Sequence, residues 1–428
     1  MHLSDNEIST FIDNSLKTSD KLSENHNLID LTYLKSYSID GPNSEEIDDA
    51  ISLEIIGDIY KLWIHIADPT IFIPKDSKLD LLAKESSSSV YLSTDNRLMF
   101  PSTLLDELFN LKVGTDRFAV SMSITFDQIG NLIDYEIIRS IVKLNYCLTY
   151  AEADELIDYR PPEELDLYLI SNLLNVNRRR RLDNNAIILE DRHSKFISKN
   201  NELEIDFIEF TPSRILISEA MILFGSLIGD HGFKNNIFLP YRSQPDPKLN
   251  IENLSNKYPS QTLRNIYIRH HLSKATTDIK PNNHYSLGVK CYVQASSPLR
   301  RYSDIIVHRQ VFPDKHKQYV YSEEEIHSLI TEFNRNTKAI YDLVRQDRRD
   351  CITKWFTGKN SNIYETIFIR VLNSKDFVYL FHFIELSMDV AIVIKDLKYL
   401  SFGQYVSLLQ YKTDSQSQEV HFEVNKYH

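Results

Sequence analysis

The sequence has 428 residues, of which 42% are hydrophobic and 25% are charged, and this composition is ordinary for a globular protein rather than a disordered one. Its length predicts two or three domains, and its 10 glycines are too few for glycine-rich linkers. A net charge of −12 excludes a protein that binds nucleic acid over its whole surface, but it leaves room for a local basic channel.

The hydropathy pattern predicts neither a secretory signal nor a membrane-spanning segment. The N-terminus has no basic segment followed by an apolar core, and the apolar run 214–229 is interrupted by Ser218 and Glu219. The three cysteines lie far apart without the spacing of metal ligands, which is typical of free thiols in a reducing compartment. We therefore expect a cytoplasmic protein that does not contact a membrane.

The first part of the chain is predicted to be a polar N-terminal extension over residues 1–28, with one amphipathic helix at 7–16. A β-rich region follows to about residue 136. It contains a hairpin turn at Gly57-Asp58 and strands at 62–67 and 118–126, the second of which leads into a turn at 127–130.

Inside this β-rich region, ten residues carry five carboxylates between two strand-like segments. The acids are Asp40, Glu45, Glu46, Asp48 and Asp49. Like charges this close repel one another, and divalent cations with oxygen ligands are the usual counter-charge. The turn residues at 41–44 could fold the acids together, and two bridged metals would then support phosphodiester hydrolysis. A solvated acidic turn and a calcium loop are the alternatives, although the spacing of an EF-hand is absent.

The middle of the chain is predicted to be helical, with helices at about 150–181 and 215–231. The basic run 178–181 has acidic neighbours, which favours a solvated helix end over a nucleic-acid surface. Upstream of these helices, Tyr91 could stack on a base, although a core tyrosine is the default interpretation.

The segment around Ser297-Pro298 predicts the start of another helix, with serine as the N-cap and proline in the first helical position. Arg300 and Arg301 would then lie in the first turn, where a helix already attracts anions. Two arginines there indicate a phosphate partner, with Arg300 the stronger candidate. The alternative, which we favour for Arg301, is a structural pair with Asp304.

The last part of the sequence begins with a capping box of Ser322 and Glu325, which predicts a long helix to about residue 356. Five short β-like segments follow at 363–371, 378–383, 388–394, 405–411 and 419–424. This pattern favours a small barrel, and the OB-fold, which binds oligonucleotides, is a common barrel of this size.

Four ordered motifs between about residues 30 and 356 together resemble the ribonuclease II family, whose catalytic domain is called RNB. The acidic loop resembles the family's D-x5-D-x-D-D signature, and 64–68 resembles its V-H-I-A-D strand. Residues 89–91 with 100–101 and 116–117 are similar to the S-V-Y-F, L-P and D-R run. Residues 295–304 with His308 and Arg309 are similar to T-S-P-I-R-R-Y-x-D followed by H-R.

The resemblance implies an α+β fold: an RNB catalytic domain at 29–358, with a mixed β-sheet and packed helices, then an OB-fold-like barrel at 359–428 that binds RNA. It also implies a 3′→5′ exoribonuclease that needs Mg²⁺, or Mn²⁺ in its place, and that degrades single-stranded RNA to nucleoside 5′-monophosphates by a two-metal mechanism. We expect a monomer with no membrane partner.

The resemblance assigns a role to each candidate site residue. Asp40, Glu46, Asp48 and Asp49 would hold metal, with Asp48 also activating water. Arg300 would contact the reacting phosphate, and Tyr91, Arg300 and Arg301 would bind RNA.

Three departures from the family pattern keep a second hypothesis open. Glu46 replaces an aspartate, about 30 residues cannot hold the usual N-terminal cold-shock modules, and Val344 stands where a late-helix glutamate is expected. The alternative is therefore a catalytically weak RNA-binding or regulatory protein that keeps the fold. A phosphodiesterase with another substrate is a third hypothesis.

Overall fold

The structure is a computed structural model that describes residues 3–199, 202–249, 251–312, 320–359, 361–414 and 416–428. The helices, in chain order, are α1 (Asp5–Asn25), α2 (Lys78–Ser86), α3 (Ser102–Leu104), α4 (Tyr150–Tyr159), α5 (Leu165–Asp183), α6 (Pro212–Lys234), α7 (Ile251–Lys257), α8 (Gln261–His271), α9 (Tyr302–Val311) and α10 (Glu323–Phe356). One π-helical turn, Leu105–Phe109, continues α3.

The strands fall into the central sheet, three two-stranded sheets and a barrel. The central sheet contains β1 (Ile29–Asp30), β2 (Ser36–Asp40), β3 (Asp49–Ile56), β4 (Ile59–Ala67), β7 (Asp116–Phe126), β8 (Leu132–Lys143) and β9 (Tyr146–Thr149). The two-stranded sheets pair β5 (Val90–Tyr91) with β6 (Asn96–Arg97), β10 (His193–Lys199) with β11 (Glu202–Ile208), and β12 (Tyr241–Ser243) with β13 (Thr276–Asp278). The barrel contains β14 (Ile363–Asn373), β15 (Val378–Phe383), β16 (Met388–Val393), β17 (Tyr405–Asp414) and β18 (Glu419–Tyr427).

The central sheet places the acidic loop between two neighbouring strands. Its order is β1-β8-β7-β4-β3-β2-β9, with parallel pairing at β1–β8 and β2–β9 and antiparallel pairing elsewhere, so the predicted mixed sheet is confirmed. Because β2 ends at Asp40 and its antiparallel neighbour β3 begins at Asp49, the two carboxylates lie at the same edge of the sheet.

Helices cover both faces of this sheet. One core joins the sheet to α4, α5 and α6, while a second core contains α2, α9 and part of α1, whose Ile8 is buried. Helix α1 is longer than the 7–16 segment expected from the sequence. The predicted helix at 150–181 is two helices, because α4 ends at Arg160 in a left-handed conformation and Pro161-Pro162 cannot continue the hydrogen-bond ladder.

Helix α6 is the buried helix predicted at 215–231. Among the described helices it alone is long and apolar enough to cross a membrane, and more than half of that apolar stretch is buried inside the protein. At Gly225, α6 packs so closely against the backbone at Val293 that a Cβ atom added to the glycine would lie 2.5 Å from the Val293 carbonyl oxygen. This contact fixes the segment that leads into the two arginines.

The prediction that a helix starts at Pro298 is wrong. A single turn occupies 298–300, Arg301 is extended with φ −141° and ψ 119°, and α9 begins at Tyr302. Residues 87–89 cause this difference, because the N–H of Ser89 donates to Arg300 O at 3.0 Å and Ser87 O accepts from Tyr302 N–H at 2.9 Å. These backbone groups are therefore used in strand-like pairing and cannot begin a helix.

The C-terminal region forms the predicted five-stranded barrel, closed in the order β14-β15-β16-β18-β17. Its core is aromatic, with Phe356 at the end of α10 packed against Phe383 and Phe422. The capping box of Ser322 and Glu325 opens α10, as the sequence predicts.

Candidate active site

Two of the predicted acids, Asp40 and Asp49, line a cavity of about 600 Å³. The cavity lies between the edge of the central sheet, the first turns of α6 and the turn that carries Arg300. Tyr150 and Arg214 line it as well, as do residues at both ends of the β10–β11 hairpin. The sequence motifs thus converge on one concave site, although Asp40 and Arg300 are 260 positions apart.

The Asp40 and Asp49 carboxyls carry negative charge that the protein does not fully compensate. Burial raises the pKa of Asp40 to about 7, and the neighbouring Asp48 adds to this effect. Burial and the charge of Asp40 likewise raise the pKa of Asp49 to about 7. In addition, Asp40 Oδ2 is buried without a hydrogen-bond partner. A divalent cation with oxygen ligands would satisfy both carboxylates, so these two residues fit a magnesium ion.

Asp48 points at the turn of residues 298–300, which carries Arg300 and is called the arginine turn below. Its side chain is 4% exposed, its Oδ1 accepts the N–H of Leu299 at 2.8 Å, and its Oδ2 lies 3.3 Å from Arg300 Nε. Burial raises the pKa of Asp48 to about 7, while the Arg300 guanidinium acts in the opposite direction. Asp48 therefore ties the acidic loop to the turn that carries Arg300.

Glu46 is bound to two hydroxyl groups. Its carboxylate accepts hydrogen bonds from Ser89 Oγ at 2.6 Å and from the phenol of Tyr91. Burial raises the pKa of Glu46, and both hydroxyls oppose the shift. The longer side chain in place of the family's aspartate thus reaches the segment around Tyr91. Glu45 is exposed and accepts from Asn96.

Tyr91 is half exposed, and its hydroxyl is anchored by Glu46, so the ring is presented beside the acidic loop. Burial and the hydrogen bond to Glu46 raise the pKa of Tyr91. A fixed, accessible ring is the arrangement that base stacking requires.

The two arginines differ in their partners. Arg301 Nη2 lies 2.7 Å from Asp304 Oδ2, which confirms that Arg301 makes the structural pair favoured from the sequence. The Arg300 side chain is 41% exposed, lines the cavity and donates to Ser297 Oγ at 2.8 Å. The Arg300 guanidinium is therefore held by Ser297 and Asp48 and is still partly open to a ligand.

Three side chains hold the backbone that carries Arg300. His308 Nε2 lies 2.8 Å from Ala295 O, Asp304 Oδ2 accepts the N–H of Ser297 at 2.9 Å, and Asp48 takes that of Leu299. Because a carbonyl only accepts, His308 carries its proton on Nε2. Alternate residues of the turn are thus fixed, which preorganises Arg300.

Not all four predicted metal ligands face the cavity. Asp40 and Asp49 line it, whereas Glu46 and Asp48 have protein partners. Within the described part of the chain, no three His, Cys, Asp or Glu side chains form a ready-made metal centre. His65 and Asp68, the two polar residues of the segment 64–68 that resembles the family's V-H-I-A-D strand, bind Ser52 and Arg139 respectively.

Sequence reasoning did not identify Tyr150 and Arg214 as site residues. Both line the cavity, and the Arg214 guanidinium carbon lies 3.9 Å from the centre of the Tyr150 ring. Tyr150 lies in the first turn of α4 and Arg214 in the first turn of α6, and few sequence rules connect such positions with a site.

Comparison with known proteins agrees with the arrangement of the motifs. The chain is 31% identical over 369 residues to the uncharacterized ribonuclease sll1290 of Synechocystis, an alignment that covers 84% of this chain and 55% of that protein. The chain thus spans about half the length of this curated relative.

Three solved structures of two proteins show the same fold. RNase R of Mycoplasma genitalium in its apo form superposes with a TM-score of 0.86 at 19% identity, over 97% of this chain and 75% of that one. Its complex with ribose-methylated single-stranded RNA gives a TM-score of 0.84. Yeast Ssd1, described as a pseudonuclease, matches at 0.71 and 16% identity over 91% of this chain and 54% of its own. At these identities the likeness concerns the fold alone.

The family model for the RNB domain matches residues 28–313, which is more than half of the chain and includes the acidic loop and the arginine turn. Together with the ordered motifs and the RNase R-like fold, this match shows that the chain belongs to the RNB domain family.

Proposed function

We propose that this chain is a Mg²⁺-dependent exoribonuclease that degrades single-stranded RNA from its 3′ end and releases nucleoside 5′-monophosphates. The observation that carries the proposal is the pair of partly buried carboxylates, Asp40 and Asp49, on the wall of a cavity that Arg300 also lines. Paired acids for a cation and an arginine for a phosphate are the groups that phosphodiester hydrolysis needs.

Each residue has a distinct task in this proposal. Asp40 and Asp49 hold Mg²⁺, which when bound supplies positive charge to the reacting phosphate and activates water. Arg300 contacts that phosphate, and Asp48 keeps the guanidinium in place through the backbone of Leu299 and the ion pair. Tyr91 stacks on a base beside the acidic loop.

The two-metal mechanism stays a prediction. Support for metal binding in the described residues rests on Asp40 and Asp49, because Glu46 is hydrogen-bonded to Tyr91 and Asp48 is paired with Arg300. A single bound ion would need only Asp40 and Asp49. Isothermal titration of Mg²⁺ into the RNA complex would count the ions.

The RNA itself is the second part of the proposal. The relatives include proteins named as ribonucleases, and a solved relative is described in complex with single-stranded RNA. The test is digestion of a 5′-labelled oligoribonucleotide with Mg²⁺, with chromatography of the products. We expect a ladder that shortens from the 3′ end together with nucleoside 5′-monophosphates; internal cleavage products would contradict the direction proposed.

The alternative function, a catalytically weak RNA-binding protein, is favoured by one finding, the fold shared with a protein described as a pseudonuclease. The retention of Asp40, Asp48, Asp49 and Arg300 at one site weighs against it. RNA bound without Mg²⁺-dependent shortening would support this alternative. Equal cleavage of an all-DNA oligonucleotide would instead indicate a phosphodiesterase that does not require the 2′-hydroxyl.

A further inference from the structure

Arg214 occupies a fixed position on the cavity wall. It lies in the first turn of α6, and its neighbour Ser213 joins that turn to the start of α4. The N–H of Ser213 donates to Asp154 Oδ1 at 2.7 Å, and its hydroxyl donates to Tyr150 O at 3.0 Å. The backbone that carries Arg214 is therefore anchored to the same helix end that presents Tyr150.

The guanidinium carbon of Arg214 lies over the Tyr150 ring, 3.9 Å from its centre. Such a cation–π contact orients the guanidinium without using its N–H donors. Tyr150 lines the cavity together with the acid pair, and burial and the charges of Asp40 and Asp49 raise the pKa of its hydroxyl to about 12. Arg214 and its aromatic partner thus share the cavity wall with the acid pair.

The arginines of the cavity differ in what already neutralises them. Arg300 is paired with Asp48, and Arg301 is paired with Asp304. For Arg214, no ion pair or hydrogen bond from its side chain to any described residue is present, and its side chain is only partly buried. Its donors therefore remain available to a ligand.

An RNA strand that enters this cavity meets several acids. Asp191 and Glu209 line the cavity in addition to the Asp40 and Asp49 pair. A polyanion needs a positive partner along such a path, and a guanidinium with unused donors matches a phosphate in both charge and geometry. The protein as a whole offers little help, because its net charge is −12.

We propose that Arg214, held against Tyr150, binds a phosphate of the RNA strand other than the one that reacts at Asp40 and Asp49. The reacting phosphate is already assigned to Arg300, which lines the same cavity, and a second arginine with unused donors therefore fits a different phosphate. This inference rests on the proposed function, and it adds a substrate-binding residue that the sequence motifs do not contain.

The first test measures binding of a fluorescent oligoribonucleotide in Mg²⁺-free buffer across a range of salt concentrations. Loss of one phosphate contact to a single strand reduces the slope of log K against log salt concentration by about 0.7. We expect this reduction, with roughly tenfold weaker binding, for Arg214→Gln. Arg214→Lys keeps the charge and should retain most of the slope, which separates lost charge from a disturbed Tyr150.

The matched control is Arg179→Gln, which removes the same charge from an exposed position of α5 that does not line the cavity. It should change neither the affinity nor the slope by more than the error. Thermal unfolding of each variant shows that the fold is intact.

The second test replaces each phosphate of the oligonucleotide in turn by a neutral methylphosphonate. In the wild-type protein one replacement should weaken binding about as much as Arg214→Gln does, and in Arg214→Gln that replacement should have no further effect. Equal losses at every position in both proteins would overturn the assignment of Arg214. If the wild-type protein does not bind RNA at all, the proposed function fails and the assignment falls with it.

Discussion

Asp48 holds Arg300 directly, by an ion pair of 3.3 Å between Oδ2 and Nε, and also through the preceding residue, Leu299, whose N–H donates to Asp48 Oδ1. The acidic loop and the arginine turn are therefore bonded to each other, although 251 positions separate Asp48 from Leu299. This relationship gives Asp48 a positioning task that differs from the metal-ligand task expected from its place in the motif.

Asp48→Asn keeps an acceptor for the Leu299 N–H and removes the charge that faces Arg300. We expect kcat to fall by about 10²- to 10³-fold, the usual cost of misplacing a group that stabilises the transition state. The affinity for RNA in Mg²⁺-free buffer should change by less than about threefold, because Arg300 keeps its own charge. Steady-state kinetics with fluorescence binding would check this, and a loss that lies entirely in KM would contradict it.

The acid pair should make the protein's stability fall as pH rises in the absence of divalent ions. Asp40 and Asp49 have pKa values raised to about 7, against about 3.9 in an unfolded chain. Between about pH 4 and pH 7 the unfolded state loses these protons while the folded state keeps them, so unfolding becomes easier. Thermal unfolding from pH 5 to pH 8 in EDTA should therefore show a decreasing Tm.

Removing one of the two charges should reverse this effect. Asp40→Asn should raise Tm by about 5 °C at pH 8 in EDTA, and added Mg²⁺ should stabilise the wild-type protein more than the variant. Glu45→Gln, on the same loop but exposed, is the control and should leave Tm unchanged. A lower Tm for Asp40→Asn in EDTA would show that the pair is already compensated.

Two variants of Tyr91 should separate the contribution of its hydroxyl to stability from the contribution of its ring to RNA binding. Tyr91→Phe removes the hydrogen bond to Glu46 and leaves the half-exposed ring, so it should lower Tm and leave RNA affinity within about twofold. Tyr91→Ala should weaken RNA binding by about 1–3 kcal/mol through lost stacking. Equal affinities for the Phe and Ala variants would mean that the ring does not stack on a base.

Asp304 should be the main support of the arginine turn. Its buried carboxylate takes both the Arg301 guanidinium and the N–H of Ser297. Asp304→Ala removes the acceptor that both donors share and leaves the Arg301 guanidinium without its carboxylate, so it should destabilise the protein by about 3 kcal/mol, measured by urea unfolding. Glu323→Ala, at the exposed start of α10, serves as the control with little effect. A change below about 1 kcal/mol for Asp304→Ala would mean that other contacts hold the turn.

The sequence predicts the composition of the site better than its geometry. The acids and Arg300 stand out because their residue types and spacing are unusual, Tyr91 is indicated by the family resemblance, and the five barrel strands follow from local alternation and turn residues. Which acids face the cavity depends on segments that are distant in the chain. Glu46 turns towards Ser89, and Asp48 turns towards Leu299.

The helix predicted at Pro298 is wrong for the same reason. Local capping chemistry favours the helix. The backbone groups of Arg300 and Tyr302 that it would use are instead hydrogen-bonded to Ser89 and Ser87. Arg214 was missed because a single arginine at the start of an apolar helix has no distinctive pattern. Its importance arises only when α6 packs beside Tyr150.

The initial rate of Mg²⁺-dependent RNA shortening in Asp49→Asn, compared with Glu45→Gln, tests the central claim most directly. Both changes remove one negative charge from the acidic loop, but only Asp49 lines the cavity with Asp40. With a 5′-labelled single-stranded oligoribonucleotide, the proposal predicts at least about a 10²-fold lower rate for Asp49→Asn and a wild-type rate for Glu45→Gln. Equal rates in the two variants would contradict the assignment of this carboxylate pair as the catalytic metal site.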